Sequence, residues 1–386
     1  MSILTVEQQA IKQAAKDFVA KYIIPNAVKF DKSGDFHPFL LEASKESKIF
    51  AMAVPKEYGG LNYDALTQAL VLEEWGYGCA GMGTTLAASI LSMDSVLVAG
   101  NDQQKRRYFT PMIGSEIGAF GLTEPGAGSD AGAGKTVAIK KGDEYILNGT
   151  KCWMSGVREA DWYTVFAKTA DPASRAHDSV TAFIVEREWP GVEVGRTDHK
   201  MGVRGIDTGE LLLGDVRVPP TNVIGEVGGF RLAMLGLNSM RPVVAARGIG
   251  LAEGALMYAT EYVKERAAFG KTIADFQGVQ WEIAKCAVDI EAARLLTYRA
   301  AWLADQGKFT KQWVPYLSMA KYHATELAVR ASGLAVQLLG AAGYMEDHPT
   351  EQWYRDAKQL TIVEGTSQVQ LGLVARGVLD RDLWWD

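Results

Sequence analysis

From Leu4 to Ile23 the chain reads LTVEQQAIKQAAKDFVAKYI, with apolar positions recurring at intervals of three and four and polar or charged residues between them. That spacing follows the 3.6-residue turn, so the stretch predicts an amphipathic helix. The same texture continues to about residue 110, broken by turn signals such as VPKEYGGLN, and predicts an N-terminal helical domain over residues 1–119. From Phe120 the texture changes. The glycine-rich TEPGAGSDAGAG leads into β-branched, turn-punctuated runs, KTVAIKKGDEYILNGTKCWMSG, WYTVFAKT and SVTAFIVE, which predict a small β domain over 120–228. After IGEVGGF the helical period returns in three segments. RLAMLGLNSMRPVVAARGIGLAEGALMYATEYVKERAAFG, VQWEIAKCAVDIEAARLLTYRAAWLADQ and YLSMAKYHATELAVRASGLAVQLLGAAG are long enough for antiparallel helices packed as a bundle over 229–386. The order is helical, β, helical: an α+β chain without short repeats or low-complexity tracts.

Composition narrows the picture little. At 386 residues the chain exceeds what one core supports, so several packed modules are expected. The 48% apolar and 22% charged content is that of an ordinary folded protein. A net charge of −6 without a sustained basic stripe gives no electrostatic footprint for nucleic acid. Cys79, Cys152 and Cys286 are far apart, odd in number and without metal-ligand spacing, which argues against a disulfide framework or a metal site and fits a reducing cytoplasm. No window is expected to supply the roughly 18 apolar residues of a membrane span, and the charged N-terminal helix does not read as a signal peptide.

Four stretches invite chemistry, and each has a plainer reading. FGLTEPGAGSD (120–130) is dense in glycine and small hydroxyls; it is either a surface turn or a ligand loop in which Thr123 and Ser129 donate. KCWMSG (151–156) offers a core Trp with a turn Ser, or an indole that walls a planar ligand. KERAAFGKTIADFQ (264–277) places Arg266 and Phe269 three apart on a helix end, with Gln277 beyond a loop; the Arg is a solvated face or a phosphate clamp. QLTIVEGTSQVQ (359–370) sets Glu364 after Ile362 and Val363. It is a carboxylate stabilised at a helix N-terminus, with Thr366, Ser367 and Gln368 satisfying free amides, or a base strengthened by an apolar pocket.

Taken together, FGLTEPGAGSD, KCWMSG, MRPVVAARGIG, ERAAFGK, QLLGAAGYMEDHPTEQWYRDAK and IVEGTSQVQ resemble, in order and spacing, the acyl-CoA dehydrogenase family across nearly the whole chain. The resemblance implies an N-terminal helical domain, a middle β-barrel or sandwich and a C-terminal four-helix bundle, with FAD between the last two. It implies that Leu122, Thr123 and Ser129 contact the flavin and its ribityl-phosphate region, Ser129 also the substrate, and that Trp153 and Ser155 border the ring. Ser155 stands where Thr is frequent, and Phe120 where some members carry Tyr. Arg266, Phe269 and Gln277, with Gln337, Leu338 and Gly340, are implied to reach a neighbouring subunit's FAD, and Thr366 and Gln368 to hold its diphosphate and adenine end. Those contacts imply a dimer at least and a dimer of dimers as the expected homotetramer. Arg241 resembles a residue near the CoA arm, beside Asn238 where a carboxylate is familiar.

By the same resemblance Glu364 occupies the place of the family's most frequent catalytic base. It would take the α-proton of an acyl-CoA thioester while a β-hydride goes to flavin N5, giving a 2-enoyl-CoA as in β-oxidation, with electrons passed to an electron-transferring flavoprotein. The helix GMGTTLAASILSMDSVLVAG (81–100) corresponds to the far wall of the acyl pocket. It has no Arg or Lys, which disfavours a dicarboxylic substrate, and Gly83, Ala87 and Ala88 leave room for a medium, branched or cyclic acyl group. Asp94 interrupts it. The plainer reading turns Asp94 to solvent or pairs it with an Arg; the sharper one makes it a second base for 1,4-dehydrogenation of an unsaturated alicyclic acyl-CoA. The fold also suits an acyl-CoA oxidase, disfavoured by length, and a flavin-containing nucleic-acid-binding homologue, disfavoured by net acidity and by Glu364.

Overall fold

The computed structural model describes residues 4–34, 38–114, 116–169, 179–308 and 312–380. Six α-helices come first: α1 (Val6–Phe18), α2 (Ala27–Ser33), α3 (Pro38–Lys45), α4 (Ala65–Gly78), α5 (Ala80–Ala99) and α6 (Asp102–Phe109). Their starts follow local chemistry. Thr5 and Gln8 form a reciprocal capping box on α1, and Asp64 accepts from the Thr67 amide at the head of α4.

The middle domain holds β1 (Gly118–Gly121), β2 (Val137–Lys141), β3 (Glu144–Ser155), β4 (Trp162–Lys168), β5 (Val180–Glu186), β6 (Val192–Thr197), β7 (Thr208–Val218) and β8 (Val223–Ile224). The strand order is β6-β7-β3-β2-β4-β5-β8, with β1 parallel to β4. One register pair, Val137 with Lys168, joins the two halves. Their apolar faces meet in one cluster, with Leu147 and Met154 from β3 and Val165 and Phe183 from the other half, and the Tyr145 and Phe183 rings 5.3 Å apart. Two packed layers linked along one edge realise the sandwich that the resemblance implied.

The C-terminal domain runs α7 (Phe230–Glu265), the short hairpin β9 (Ala267–Ala268) and β10 (Lys271–Thr272), α8 (Gln277–Asp305), α9 (Val314–Leu339), α10 (Thr350–Leu360) and α11 (Ser367–Leu379). Helices α7, α8 and α9 pack on one another, α11 lies along α9, and the short α10 bridges α9 and α7. Glycines let α4 approach α7 backbone to backbone: a Cβ on Gly250 would lie 1.8 Å from the Glu73 carbonyl oxygen, and one on Gly76 would lie 2.4 Å from that of Arg247.

Helix α5 is the element on which the three domains converge. It packs against α4, α7 and β1, and the Thr164 hydroxyl of β4 donates to the Ser92 carbonyl at 2.8 Å. Contrary to the sequence expectation, Ala80–Ala99 is by length and composition apolar enough to cross a membrane. Its 18-residue window is 72% buried within the chain, which marks it as a core helix.

Candidate active site

Between α10 and α11 the chain turns sharply, and Glu364 stands on that turn with φ of 53°. A bulky residue resists this left-handed conformation, so the surroundings must hold it. Gln370 donates its side-chain amide to the carbonyls of Glu364 and Gly365 at 3.1 Å each, and Lys321 of α9 donates its ammonium to the Gly365 carbonyl at 2.8 Å. Thr366 caps α11 through the Val369 amide, and Ser367 bonds Glu326. The capping reading thus applies to Thr366, while Glu364 lies ahead of the cap.

Glu364 as a whole is half-buried, yet its carboxylate Oε2 is buried and has no partner among the described residues. Burial pushes its pKa up to about 7, opposed by the charges of Arg247, Lys321 and Arg241. Arg241 is buried and donates Nη1 to Ser318 Oγ at 3.1 Å; burial lowers its pKa to about 10 while Glu364 pulls it upward. Burial likewise brings Lys321 down to about 8 against the attraction of Glu364. Arg247 is buried, donates to Thr84 Oγ1 and is displaced downward by burial, again with Glu364 opposing.

Asp94 joins this group from α5. It is 8% exposed, accepts from the Ser239 hydroxyl and is pushed up to about 7 by burial, with the Ser239 bond opposing and the charge of Glu364 adding to the rise. The plainer sequence reading therefore fails on both counts: Asp94 neither faces solvent nor pairs with an Arg among the described residues. Asn238, also buried, precedes Ser239 on α7. The structure thus gathers Glu364, Asp94 and Arg241 from the sequence-predicted set and adds Arg247 and Lys321. Helix α5 itself carries no Arg or Lys; the cation beside it, Arg247, comes from α7 and bonds Thr84.

The β-domain candidates form a second group. Leu122 is buried and its carbonyl accepts from Lys151 Nζ, while Thr123 accepts from the Cys152 amide. Glu124, which sequence reasoning passed over, pins the loop: it pairs with the buried Lys151 at 2.6 Å and accepts from the amides of Lys135 and Thr136. Ser129 is exposed, and Cβ atoms added at Gly126 or Gly128 would meet nothing within 4 Å. The register of β3 on β7 shifts between Lys151 and Met154. That irregularity holds Trp153 at φ of 54° and 58% exposed, with Ser155 half-buried beyond it, so the core-Trp reading is overturned.

The remaining candidates lie on the helical domain. Arg266 and Phe269 are not on a helix: Arg266 caps α7, and Phe269 and Gly270, both with positive φ, form the two-residue turn between β9 and β10. Phe269 is 95% exposed, and Arg266 and Gln277 are exposed. At the end of α9, Gln337 and Gly340 are exposed, Leu338 is half-buried, and the Gly340 amide donates to the Gln337 carbonyl. Thr366 is half-buried and Gln368 exposed.

Three family models match the chain in order: acyl-CoA dehydrogenase, N-terminal domain, over residues 5–116; middle domain, over 119–216; and C-terminal domain, over 228–379. The chain is 39% identical to the mitochondrial short-chain specific acyl-CoA dehydrogenase of Rattus norvegicus over 96% of its own length and 90% of that protein. The butyryl-CoA dehydrogenase structure from Megasphaera elsdenii superposes with a TM-score of 0.93 at 37% identity, covering 98% of this chain and 100% of that one. A chain from the structure described as the electron transferring flavoprotein of Acidaminococcus fermentans superposes with a TM-score of 0.94 at 40% identity, with coverage of 98% and 100%.

Proposed function

Because the chain belongs to the acyl-CoA dehydrogenase family, FAD-dependent oxidoreductases acting on CH–CH bonds, we propose that Glu364 is the base that takes the α-proton of its acyl-CoA substrate. The observation that carries this reading is the buried, unpartnered Glu364 carboxylate on a left-handed turn, facing Arg241, Arg247 and Lys321. Burial makes the carboxylate a stronger base, and the cations keep it available in ionised form. The Glu364 amide donates to the thioester carbonyl and stabilises the negative charge that develops there as the α-proton leaves. The product is an α,β-unsaturated acyl-CoA.

The β-domain residues fit a flavin. Trp153 presents its indole to open space from a strained backbone, and the glycines of TEPGAGSD leave room for close approach beside Leu122, Thr123 and Ser129. When bound, FAD supplies the acceptor for the β-hydride. Ser155 borders the ring with Trp153. Arg266, Phe269, Gln277, Gln337, Leu338 and Gly340 would hold the cofactor of a neighbouring copy, and Thr366 and Gln368 the diphosphate and adenine end of FAD. The near-complete exposure of Phe269 supports that arrangement, which requires at least a dimer, with a homotetramer as the expected assembly. Arg241 and Asn238 lie toward the CoA arm. Likeness to the Acidaminococcus fermentans chain supports an electron-transferring flavoprotein as acceptor.

Replacing Glu364 by Gln is expected to retain bound FAD and to lose about 10²–10⁴-fold in the rate of anaerobic flavin bleaching, the range of general-base catalysis. Wild-type bleaching by the variant would remove Glu364 from this role.

A second reading has its own observation. Asp94 is buried, tethered to Ser239 and close enough to Glu364 for their charges to interact. Two carboxylates facing one substrate allow Asp94, in place of Glu364, to take the γ-proton of an unsaturated alicyclic acyl-CoA, while the hydride from the ring carbon at the other end of the allylic system would go to bound FAD and the double bond shifts between them, a 1,4-dehydrogenation. Asp94→Asn is then expected to lose turnover of such an ester while keeping that of a straight saturated one. Equal turnover of the alicyclic ester by both proteins ends this reading.

A further inference from the structure

Arg247 is a buried cation whose place the proton transfer at Glu364 does not by itself require. Its side chain leaves α7 and lies across Gly83 of α5, where an added Cβ would come within 3.3 Å of the Arg247 Cδ. Nη1 donates to the Thr84 hydroxyl, Nε has no partner, and among the described residues no carboxylate stands at ion-pair distance. A guanidinium taken out of water with so few partners is costly unless something is gained by its position.

Packing fixes that position relative to Glu364. Arg241 bonds Ser318 on α9, while Gly248, next to Arg247, lies against the Ala324 carbonyl six residues farther along α9. Lys321, halfway between those two levels, bonds the carbonyl of Gly365, next to Glu364. Along the seam of α7 and α9 the order is therefore Asn238 and Arg241, then Glu364, then Arg247. Helical rise sets Arg241 and Arg247 about 9 Å apart along the axis. On the reading above, the CoA arm lies toward the Arg241 end, so an acyl group extending past Glu364 runs toward Thr84 and Arg247.

We propose that Arg247, held by Thr84 over Gly83, caps the acyl pocket beyond Glu364, so that the site takes compact acyl groups (short, branched or alicyclic) and refuses extended straight chains. A longer chain must either displace the guanidinium from the Thr84 hydroxyl or press methylenes against a desolvated charge. Neither gives the gain that burial against an apolar wall would. Gly83 is part of the device, because a side chain there would push the Arg247 stem aside.

The proposal rests on Glu364 and flavin acting as described, and the experiment separates the two. FAD-loaded wild type, Arg247→Ala and Arg247→Met are compared for kcat/KM with butyryl-, cyclohexanecarboxyl-, octanoyl-, dodecanoyl- and glutaryl-CoA. Wild type is expected to favour the compact esters. Arg247→Ala is expected to raise the ratio of dodecanoyl to butyryl turnover at least tenfold, and Arg247→Met, which removes the charge and the bond to Thr84 but keeps most of the bulk, to raise it by less. Wild type that turns over dodecanoyl-CoA as well as butyryl-CoA overturns the cap without recourse to a variant. A yellow, active Arg247→Ala protein with an unchanged ratio also overturns it. So does a wild-type preference for glutaryl-CoA that is lost in Arg247→Met, since Arg247 would then read a carboxylate. Bleaching of the wild type by none of the five esters defeats the proposed function itself.

Discussion

Three of the residues singled out for chemistry, Trp153, Phe269 and Glu364, are among the seven non-glycine residues with positive φ in the described chain. Such backbones cost about 1–3 kcal/mol each and persist where neighbours over-determine them. At Glu364 those neighbours are Gln370 and Lys321. The side chain titrates in a crowd: Arg241 and Arg247 face it from α7, Lys321 from α9 with Glu326 behind, and Asp94 from α5. Burial places the folded pKa of Glu364 near 7, above its ordinary 4.5, and that of Asp94 near 7, above 3.8. A base must be unprotonated, so the rate of flavin bleaching is expected to rise with pH through about 7 and then level off. The repulsion between the two carboxylates acts on both, so Asp94→Asn is expected to move that midpoint to lower pH. For stability the sign is opposite. The folded chain keeps protons that the unfolded chain gives up between about pH 4 and 7, so these two groups weaken the fold as pH rises through that window. A pH series of single-turnover bleaching and thermal unfolding on both proteins checks each half; a bleaching midpoint unmoved in Asp94→Asn excludes the coupling.

At the scale of elements, hydrophobic period carried the architecture. Spacing near three and four foretold α1, α7, α8 and α9, and the shift to β-branched runs foretold the sheet, because each buries one face against a neighbour. What period could not carry was any feature set by a break in it. The register shift in β3 reverses the expected side of Trp153, and the hairpin Ala267–Thr272 stands where a continuing helix was expected at Arg266 and Phe269. The carboxylate Glu364 was legible through its motif, but the cations facing it were not. Arg247 and Lys321 read as ordinary helix charges until α5, α7 and α9 enclose them. One signal was available for Lys321: Ser318, Lys321, Thr325 and Ser332 form a polar line along a helix whose other buried positions are almost all apolar. Glu124 gave no comparable hint, since its value lies in amides brought to it from eleven and twelve residues away.

For the whole molecule, the decisive surface is on α8. Cys286, Ile290, Ala293 and Thr297 face inward, while Trp281, Val288, Leu295 and Trp302 repeat every seven residues and are each half exposed or more. A helix apolar on two faces calls for a second neighbour, and a seven-residue repeat suits pairing with another helix of the same kind. In the proposed tetramer this stripe meets a second copy, while Arg266, Phe269, Gln277 and Gln337 reach that copy's cofactor. The two roles are linked: breaking the helix contact should also loosen FAD. The pair Val288→Glu and Leu295→Lys, both at exposed positions, is expected to reduce the mass in light scattering at least to that of a dimer. Helical content should stay intact, and the ratio of flavin to protein absorbance after gel filtration should fall. Unchanged mass would show that α8 is not the contact. Lower mass with full FAD retention would instead show that each chain holds its own cofactor, and would remove Arg266, Phe269, Gln277 and Gln337 from cross-subunit binding.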